Sequence, residues 1–549
     1  NPPNPLRRRG SFNGPLFLKR GWGDLEPFMR PTDWNATMKL GAIFKRGANL
    51  LKLGVAARKL RKSTTEDQRH WAQHYLVELL GQSRGLPTKI GQFMTMDSDD
   101  QALRESLNNS LEPMSFEEVE ELISQAYGKS TVFKKLEKSC KTASLGQVHF
   151  GKLKDGTEVA VKVQYPGIAN TVEAEMDLMG WLPKVGPVAK WGFKMDGYRD
   201  AFWHNFSEEL DYRVEAGHQE KYRQKIPPLE RIVVPEIFSD LVRPTVLVQK
   251  MEEGFGLDKA ETMMPEQKQA MGRLLLQHYL HMLFRHGFVH ADPQSANFAF
   301  RQYKKDYFVL IVYDYGSVLE ISDDVRLTLL RIILALRHRE NLDPMTCLSA
   351  LGFDPEKLKD LRPTLPALMS VLFEPFLVES PYHVKDWRMS ERFDQIVGDM
   401  KWWFRSSAPP KLIFLMRTLH GLTTMLKRLD VALPWQFIMD KILSDIYPQA
   451  RSLLLPEVEA SAQGPAFDSM AQYMKVHVVK SNGNKISLTM PSRCADDIEG
   501  VMDEPVIESI RKQNIDLQAI QGKARKSGFV PQVLFELQDE ERDMKVWLE

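Results

Sequence analysis

The sequence predicts an α+β protein in which a small β-rich part comes first and a larger helical part follows. The β-rich part is indicated by short apolar runs between turn residues, at Gly146–Leu153, Val159–Val163, Val233–Ile237 and Thr245–Gln249. Beyond Lys250 the apolar spacing becomes mostly helical, apart from the β-rich run Phe308–Tyr313. This order of elements, with a further small module after residue 456, is typical of an α+β chain with several domains.

Length and composition set the outer limits of this interpretation. The chain has 549 residues, of which 43% are hydrophobic and 26% are charged, as in ordinary globular proteins. Its three cysteines, Cys140, Cys347 and Cys494, are too few and too far apart for a disulfide scaffold or a paired-cysteine zinc site. No run reaches the roughly 18 uninterrupted apolar residues of a membrane-spanning helix. The composition therefore excludes the fibrous, disordered and disulfide-rich classes.

Residues 1–62 form a basic arm. Fourteen basic side chains stand against three acidic ones there, so the arm carries +11 while the other 487 residues sum to −10. Residues 1–23 contain basic residues and no acid, which is the composition of the end of an organelle transit peptide. Residues 34–62 mix apolar and basic residues, and we interpret them as an amphipathic helix for a membrane or a partner. The alternatives are a solvated tail and docking on the protein's own body.

The remaining chain divides into four further predicted segments. Residues near 115 begin a helix, because Ser115 with Glu118 three positions later matches a capping box. The predicted segments after the arm are a helical extension (63–130), a small lobe with a helical insert (131–250), a large lobe (251–455) and a linker with a C-terminal α+β module (456–549).

The C-terminal module is predicted from a hairpin. The strands Lys475–Val479 and Lys485–Met490 flank the sequence Ser-Asn-Gly-Asn, which favours a type I′ turn with positive φ at both central residues. The module contains no cluster of reactive side chains. We therefore expect a scaffolding role for it.

Lys162 ends the apolar run Val-Ala-Val-Lys. A lysine at the end of such a strand can hold phosphate oxygens if a carboxylate keeps it charged and oriented. Gly146 and Val148 lie about one hairpin upstream, where protein kinases carry a glycine-rich loop G-x-G-x-x-G-x-V over the nucleotide phosphates. In that alignment Lys141 and Ala143 replace the first two glycines. The predicted loop is therefore stiffer and more positive than a kinase loop.

Three further polar residues follow the kinase order. Asp292 and Asn297 are five residues apart, as in the kinase catalytic loop H-R-D-x-x-x-x-N, and Asp314 begins an Asp-Tyr-Gly triplet like the kinase D-F-G. Asn297 and Asp314 offer the hard oxygen ligands that Mg²⁺ prefers, while Asp292 can orient or deprotonate a nucleophile. Each motif alone is weak, but together they predict a nucleotide site between two lobes.

These motifs resemble those of the UbiB/ADCK family of atypical kinase-like proteins. The segment from His290 to Asn297 reads H-A-D-P-Q-S-A-N and is similar to the family signature H-A-D-P-H-P-G-N. Further similar segments are the KxGQ motif at Lys89–Gln92, the alanine-rich nucleotide loop at Thr142–His149, the ExD segment at Glu209–Asp211 and the C-terminal helical pattern at Leu415–Asp430. The resemblance covers about residues 70–450, and it leaves out the basic arm and the C-terminal module.

The resemblance implies a bilobal protein-kinase-like fold with the KxGQ extension packed over the active site. It also implies roles for individual side chains. Catalytic roles are assigned to Asp292, Lys162, Glu215 and Lys89; cofactor contacts to Ala143, Ser144, Gly146, Gln147, Lys162, Gln92, Glu209 and Asp211; and metal ligation to Asn297 and Asp314. Glu215 is the candidate ion-pair partner of Lys162, although 53 positions separate the two in the sequence.

Two functions are compatible with these observations. By resemblance, the first is an ATP- and Mg²⁺-binding kinase-like protein that acts as an ATPase or small-molecule phosphotransferase in prenyl-quinone lipid metabolism. The second is a catalytically impaired scaffold or assembly subunit, motivated by Gln294-Ser-Ala in place of the family's His-Pro-Gly before Asn297. Whether the chain is an enzyme stays open at this point. Nucleic-acid binding is a weaker interpretation, because the basic arm lacks a recognisable reading module.

The resemblance also suggests cofactors, partners and a location. The expected cofactors are ATP or ADP with Mg²⁺. The expected partners are an anionic membrane surface or a prenyl lipid, and an organellar multiprotein complex contacted by the arm and the C-terminal module. The expected location is the mitochondrion, peripheral to the inner membrane, with the chloroplast as the alternative.

Overall fold

The computed structural model describes Tyr75 and residues 113–128, 132–168, 206–227, 231–458, 465–539 and 542–549. The basic arm, Lys89 and Gln92 lie outside the described residues. Within them a small lobe built on an antiparallel sheet precedes a larger and mostly helical lobe. The predicted bilobal α+β architecture of a protein-kinase-like fold is therefore confirmed.

The small lobe combines a four-stranded sheet with two helices. In chain order its elements are α1 (Phe116–Tyr127), β1 (Phe133–Thr142), β2 (Gly146–Leu153), β3 (Glu158–Gln164), α2 (Tyr212–Lys225), β4 (Ile232–Val233) and β5 (Val246–Lys250). The sheet order is β1-β2-β3-β5, with every pair antiparallel, while β4 pairs with the large lobe. Val119 of α1 packs with Val161 and Val163 of β3 in the core of this lobe.

The two helices of the small lobe form for different reasons. At α1 the predicted capping box is present, since Ser115 accepts from the Glu118 amide and the Glu118 carboxylate accepts from the Ser115 amide. Helix α2 is strongly polar, and Asp211 caps it by accepting from the Arg213 amide at 2.9 Å. Because α2 lacks a broad apolar stripe, polar contacts must hold its buried face against the sheet.

The large lobe contains short strands among ten helices within the described residues. Its helices are α3 (Leu257–Glu261), α4 (Pro265–His281), α5 (Asp323–His338), α6 (Pro344–Ala350), α7 (Leu365–Leu377), α8 (Met389–Val397), α9 (Lys401–Ser407), α10 (Pro410–Leu429), α11 (Trp435–Leu443) and α12 (Tyr447–Arg451). Its strands are β6 (Phe288–His290), β7 (Phe298–Lys304), β8 (Tyr307–Val312), β9 (Val318–Glu320), β10 (Tyr382–His383) and β11 (Ala432–Leu433). None of the helices in the described ranges is long and apolar enough to cross a membrane.

The strand pairing of the large lobe places its polar loops side by side. Strands β6 and β9 pair antiparallel, and His290 lies opposite Val318. Strand β8 lies between β4 and β7, so the loop after β8 emerges next to the loop between β6 and β7. These two loops carry Asp292, Asn297 and Asp314.

The C-terminal module is an α+β unit. Its elements are β12 (Tyr473–Lys480), β13 (Lys485–Pro491), α13 (Glu504–Lys512), α14 (Leu517–Lys526), β14 (Gln532–Gln538) and β15 (Arg542–Leu548), in the sheet order β13-β12-β15-β14. The predicted hairpin between β12 and β13 is present, but the predicted type I′ turn is wrong. Only Gly483 has positive φ, at 83°, and its amide donates to the Lys480 carbonyl at 2.9 Å. This is a three-residue loop with one left-handed glycine, which requires a single flexible position.

The core of the large lobe continues into the C-terminal module. Met474 and Val476 of β12 belong to the same buried cluster as Leu368 of α7. A polar chain crosses the junction as well, because Arg392 pairs with Glu374 and also lies 3.5 Å from Asp496. The two units therefore share one core, and burial of their common apolar surface stabilises both.

Candidate active site

Lys162 lies at the centre of a buried polar cluster. Its Nζ atom is 2.8 Å and 2.9 Å from the two carboxylate oxygens of Glu215 and 3.2 Å from Oδ2 of Asp314. The lysine projects from β3, the glutamate from the first turn of α2 and the aspartate from the loop after β8. The predicted ion pair between Lys162 and Glu215 is therefore present. Together with Asp314, this ion pair joins three elements from the two lobes.

The electrostatics of this cluster favour a charged lysine. Burial alone would lower the pKa of Lys162, but the carboxylates of Asp314 and Glu215 outweigh it and hold that pKa well above its usual range. Burial raises the pKa of Glu215 to about 7; Lys162 opposes this rise, whereas Asp314 and Glu209 add to it. The Lys162 ammonium thus contacts the carboxylates of Glu215 and Asp314, and Glu209 lies close enough to Glu215 to help raise its pKa.

The two acidic residues of the ExD segment make different contacts. Glu209 is buried and lies near Glu215, because both side chains approach Gly316. A Cβ atom added to Gly316 would lie 3.3 Å from Cγ of Glu209 and 3.5 Å from Oε2 of Glu215. Asp211 instead caps α2 and contacts the Arg213 guanidinium at 2.6 Å. Only Glu209 therefore joins the charged cluster directly, while Asp211 sets the start of the helix that carries Glu215.

Asp292 is held in place from two sides. Its Oδ1 atom accepts from the Arg417 guanidinium at 2.9 Å, and both side chains are about nine-tenths buried. The amide of Asn297 donates to the Asp292 carbonyl at 3.0 Å and lies 3.4 Å from Oδ2. With its nitrogen so engaged, Asn297 keeps its side-chain oxygen as an acceptor. A rigid carboxylate and an oriented amide oxygen are what positioning a nucleophile and a cation requires.

The Asp-Tyr-Gly triplet is fixed by backbone contacts. Asp314 has φ of 56°, a left-handed conformation that is uncommon for a non-glycine residue, and its Oδ1 accepts from the Gly316 amide at 3.2 Å. His290 Nε2 lies 3.0 Å from the Tyr313 carbonyl and 2.6 Å from the Asp314 carbonyl. The Tyr313 amide also donates to the Asn297 carbonyl at 2.8 Å. These bonds tie the loops of Asn297 and Asp314 together.

The predicted nucleotide loop lies between β1 and β2. The Ala143 amide donates to the Gly146 carbonyl at 2.8 Å and closes the turn that contains Ser144. Val148 is the cross-strand partner of Lys162, so both residues face the same side of the sheet. Gly146, two residues before Val148 in the same strand, faces that side as well, and the turn of Ala143 and Ser144 directly precedes it.

The side chain of Gln147 points to the opposite side of the sheet from Lys162. It is fully buried, accepts from the Met114 amide at 2.6 Å and contacts His149 Nε2 at 2.9 Å. Its neighbour across the strand is Val163, whose side chain lies in the small-lobe core. The structure thus gives the Gln147 side chain a packing role and leaves only its backbone near the loop.

Two side chains of the site escaped the sequence analysis. Arg417 was noted only as part of a helical pattern, yet it binds Asp292 from 125 positions away. Tyr212 is fully buried, and Lys162 Nζ lies 5.0 Å from the centre of its ring, a cation–π contact. Their contacts could not be read from those patterns, because each residue reaches the site only through the packing of its helix. Lys89 and Gln92 lie outside the described residues, so their predicted contacts remain predictions.

The donor set fits Mg²⁺ bound together with a nucleotide. Among the described residues no three histidine, cysteine, aspartate or glutamate side chains gather as a closed metal site. Asn297 and Asp314 offer oxygen ligands on two loops joined by a hydrogen bond. Mg²⁺ is commonly held by one or two protein oxygens, with substrate phosphates and waters as its other ligands. The arrangement of Asn297 and Asp314 matches that pattern.

The chain is similar in sequence to known atypical kinase-like proteins. Residues 106–345 match the family model described as the ABC1 atypical kinase-like domain. One relative, the atypical kinase COQ8B, mitochondrial, of Danio rerio, is 28% identical over 44% of this chain and 40% of its own length. Another, ACTIVITY OF BC1 COMPLEX KINASE 8, chloroplastic, of Arabidopsis thaliana, is 31% identical over 38% of this chain and 28% of its own length.

A solved structure is similar over a larger share of the chain. It is the complex of Rv3197 with erythromycin from Mycobacterium tuberculosis, which is 21% identical and has a TM-score of 0.47. The similarity covers 74% of this chain and 98% of that one. The aligned parts of the two curated relatives, by contrast, span less than half of those proteins' lengths.

Proposed function

Because this chain belongs to the UbiB/ADCK family of ABC1 atypical kinase-like proteins, we propose that it binds ATP with Mg²⁺ between its lobes and hydrolyses it or transfers its terminal phosphoryl group. The observation that carries the proposal is the cluster of Lys162 with Glu215 and Asp314. In kinases the corresponding lysine–glutamate pair and metal-binding aspartate must both be in place for activity. Here both contacts exist in one conformation.

The proposed roles follow from the contacts of each side chain. Lys162 binds phosphate oxygens, with Glu215 keeping it charged and oriented. Asn297 and Asp314 hold Mg²⁺, which when bound neutralises charge on the phosphate oxygens. Asp292 orients a water molecule or an acceptor hydroxyl, and Arg417 fixes the carboxylate that does so. The side chains thus contribute mainly positioning, which supplies most of the catalysis in phosphoryl transfer.

We further propose an organellar location and a role in prenyl-quinone lipid metabolism. Relatives carry the words mitochondrial and chloroplastic in their names, and several are named as COQ8 kinases. The proposal places the protein at the mitochondrial inner membrane as a peripheral protein, with the chloroplast as the alternative. The basic arm supplies the positive charge that an anionic membrane surface would attract.

Release of phosphate from ATP by the purified full chain tests the catalytic part of this proposal. Asp292→Asn should lower the rate by about 10²- to 10⁴-fold, because a neutral amide cannot accept a proton from the nucleophile. Asp155→Asn is a matched control, since Asp155 lies in the exposed turn after β2, and its rate should equal that of the wild type.

The same pair of variants separates the enzyme from a scaffold. In cells that lack the protein, the Asp155→Asn variant should restore function and the Asp292→Asn variant should not. Equal phosphate release by both variants, together with full rescue by Asp292→Asn, would contradict the catalytic proposal and favour the scaffold.

A further inference from the structure

A polar cavity separate from the nucleotide site lies between the end of α2 and the turn that ends α4. Its volume is about 540 Å³. The walls come from both lobes: Lys225 ends α2, Arg285 and His286 lie in the π-helical turn Met282–His286, and Arg326 belongs to α5. The cavity does not include any of the residues assigned to the nucleotide site, so it requires a separate explanation.

The charges around this cavity are predominantly positive. No acidic side chain lines it within the described part of the chain. Arg285 is paired with Asp445, and Arg326 is paired with Asp323. Lys225 makes no direct salt bridge among the described residues; its ammonium lies 5.7 Å from the centre of the Phe288 ring, and its charge helps to lower the pKa of Glu320. The lining of the cavity thus carries one lysine and two guanidinium groups and no carboxylate among the described residues, which makes its surface locally positive.

The guanidinium groups retain unused donors. Arg326 uses Nε for Asp323 and Nη1 for the Phe284 carbonyl, and Arg285 uses Nε and Nη2 for the Ile442 carbonyl and Asp445. Within the described ranges Nη2 of Arg326 and Nη1 of Arg285 have no such bond. Both arginines can therefore donate to a ligand while they keep their present contacts.

His286 adds a buried nitrogen to the same wall. Its Nε2 atom is shielded from solvent and has no hydrogen-bond partner in the described structure. Burial lowers the pKa of His286, and the nearby Lys225, Arg285 and Arg326 lower it further. The neutral ring donates to the Lys225 backbone, so Nε2 is left as a buried acceptor, and the P–OH group of a partly protonated phosphate can donate to it.

We propose that this cavity binds a phosphate group, either free or on a lipid headgroup. Donors come from three elements around the cavity, which suits the several oxygens of a tetrahedral phosphate better than the two coplanar oxygens of a carboxylate. A bound phosphate would bridge Lys225 to Arg285 and Arg326, and so would link the far end of the helix that carries Glu215 to the large lobe. The site is independent of the nucleotide cleft and does not rest on the proposed function.

Titration of the full chain with inorganic phosphate, at ionic strength held constant with chloride, tests the proposal by calorimetry. The titration uses a Lys162→Gln background, so that the nucleotide cleft does not contribute to the signal. Saturable binding should be at least tenfold weaker after Lys225→Gln. Arg223→Gln is the matched control, because Arg223 lies on the same helix, pairs with Glu220 and does not line the cavity. A second variant, Gln224→Glu, places a negative charge at the cavity and should weaken binding in the same way.

Sedimentation with phosphatidylcholine vesicles, with and without phosphatidic acid, distinguishes the two sources of phosphate. Loss of free-phosphate binding in Lys225→Gln identifies a soluble ligand, and loss of phosphatidic-acid-dependent sedimentation identifies a headgroup; either result supports the site. The proposal is overturned if Lys225→Gln and Arg223→Gln match each other in both assays. Because neither assay contains nucleotide, a failure of the proposed ATP chemistry would leave these results unaffected.

Discussion

The carboxylate of Asp292 depends on a guanidinium from a distant helix. Arg417 extends from α10 and meets Asp292 in a site that excludes most solvent, where the two opposite charges stabilise each other. Removal of one partner from such a pair leaves an uncompensated buried charge, which commonly costs about 3–5 kcal/mol. Arg417 is therefore expected to serve both the stability of the large lobe and the orientation of Asp292.

This dependence can be measured with a double-mutant cycle. Arg417→Ala should lower the free energy of unfolding by about 3–5 kcal/mol, and the same change should cost less in an Asp292→Asn background, because no buried charge is left unpaired. Arg388→Ala is the control, since the Arg388–Glu391 pair is solvent-exposed and its loss should leave the free energy of unfolding nearly unchanged. Equal effects of Arg417→Ala in both backgrounds would show that the two side chains do not interact energetically.

Helix α10 approaches the catalytic loop at a glycine. A Cβ atom at Gly421 would lie 2.1 Å from Pro293 Cβ and 2.8 Å from the Pro293 carbonyl oxygen, which no side chain can tolerate without movement of the loop. Because Pro293 follows Asp292 directly, the close approach fixes the distance between α10 and the catalytic loop. Helix α10 can therefore pack this close to the loop only because Gly421, one turn after Arg417, has no side chain.

Gly421→Ala should therefore destabilise the protein. Overpacking of this kind typically costs about 1–3 kcal/mol, measured as the free energy of unfolding in urea. Gly522→Ala provides a matched control in the middle of α14, where no atom lies within 4 Å of the added Cβ, and alanine should there be neutral or stabilising by up to about 1 kcal/mol. An unchanged stability for Gly421→Ala would mean that the loop and helix can separate freely.

Among the helices and strands, those that follow from local sequence patterns were predicted correctly. The strands β2, β3 and β8, the start of α1 and the spacing of Asp292 and Asn297 follow from local periodicity and motifs. Strand β1 was missed because its ten residues are mostly polar, with only Phe133 fully buried, so that pairing with β2 decides its conformation. The roles of Arg417 and Gln147 were missed for a related reason, since both depend on tertiary packing rather than on neighbours in the sequence.

Across the whole molecule, buried histidines make stability depend on pH. His278 is buried and contacts the Tyr222 hydroxyl at 2.8 Å through Nε2. Burial, assisted by the nearby His290 and His281, lowers the pKa of His278 to about 3, and burial lowers that of His281 to about 4. The unfolded chain binds protons at these sites below about pH 6.5, whereas the folded chain does not. The free energy of unfolding is therefore not reduced by these two histidines above pH 6.5, and it falls as the pH is lowered towards 4.

Unfolding in urea at a series of pH values checks this behaviour. The free energy of unfolding should decrease from pH 7 to pH 4.5, and the decrease should be smaller for His278→Asn because one coupled proton is removed. His338→Asn is the control, since His338 is exposed, and its slope should match that of the wild type. Identical slopes for all three proteins would show that His278 is not buried in its neutral form.

The central claim is that ATP and Mg²⁺ bind together between the two lobes, and a thermal-shift titration with ATP in the presence and absence of Mg²⁺ tests it most directly. The wild type should be stabilised only when both are present, by about 2.7 kcal/mol at a ligand concentration one hundred times the Kd. Lys162→Ala and Asp314→Asn should abolish this stabilisation. Lys152→Ala, an exposed residue at the far end of β2, should retain it. An absence of Mg²⁺-dependent stabilisation in the wild type, or equal stabilisation of all four proteins, would contradict the account.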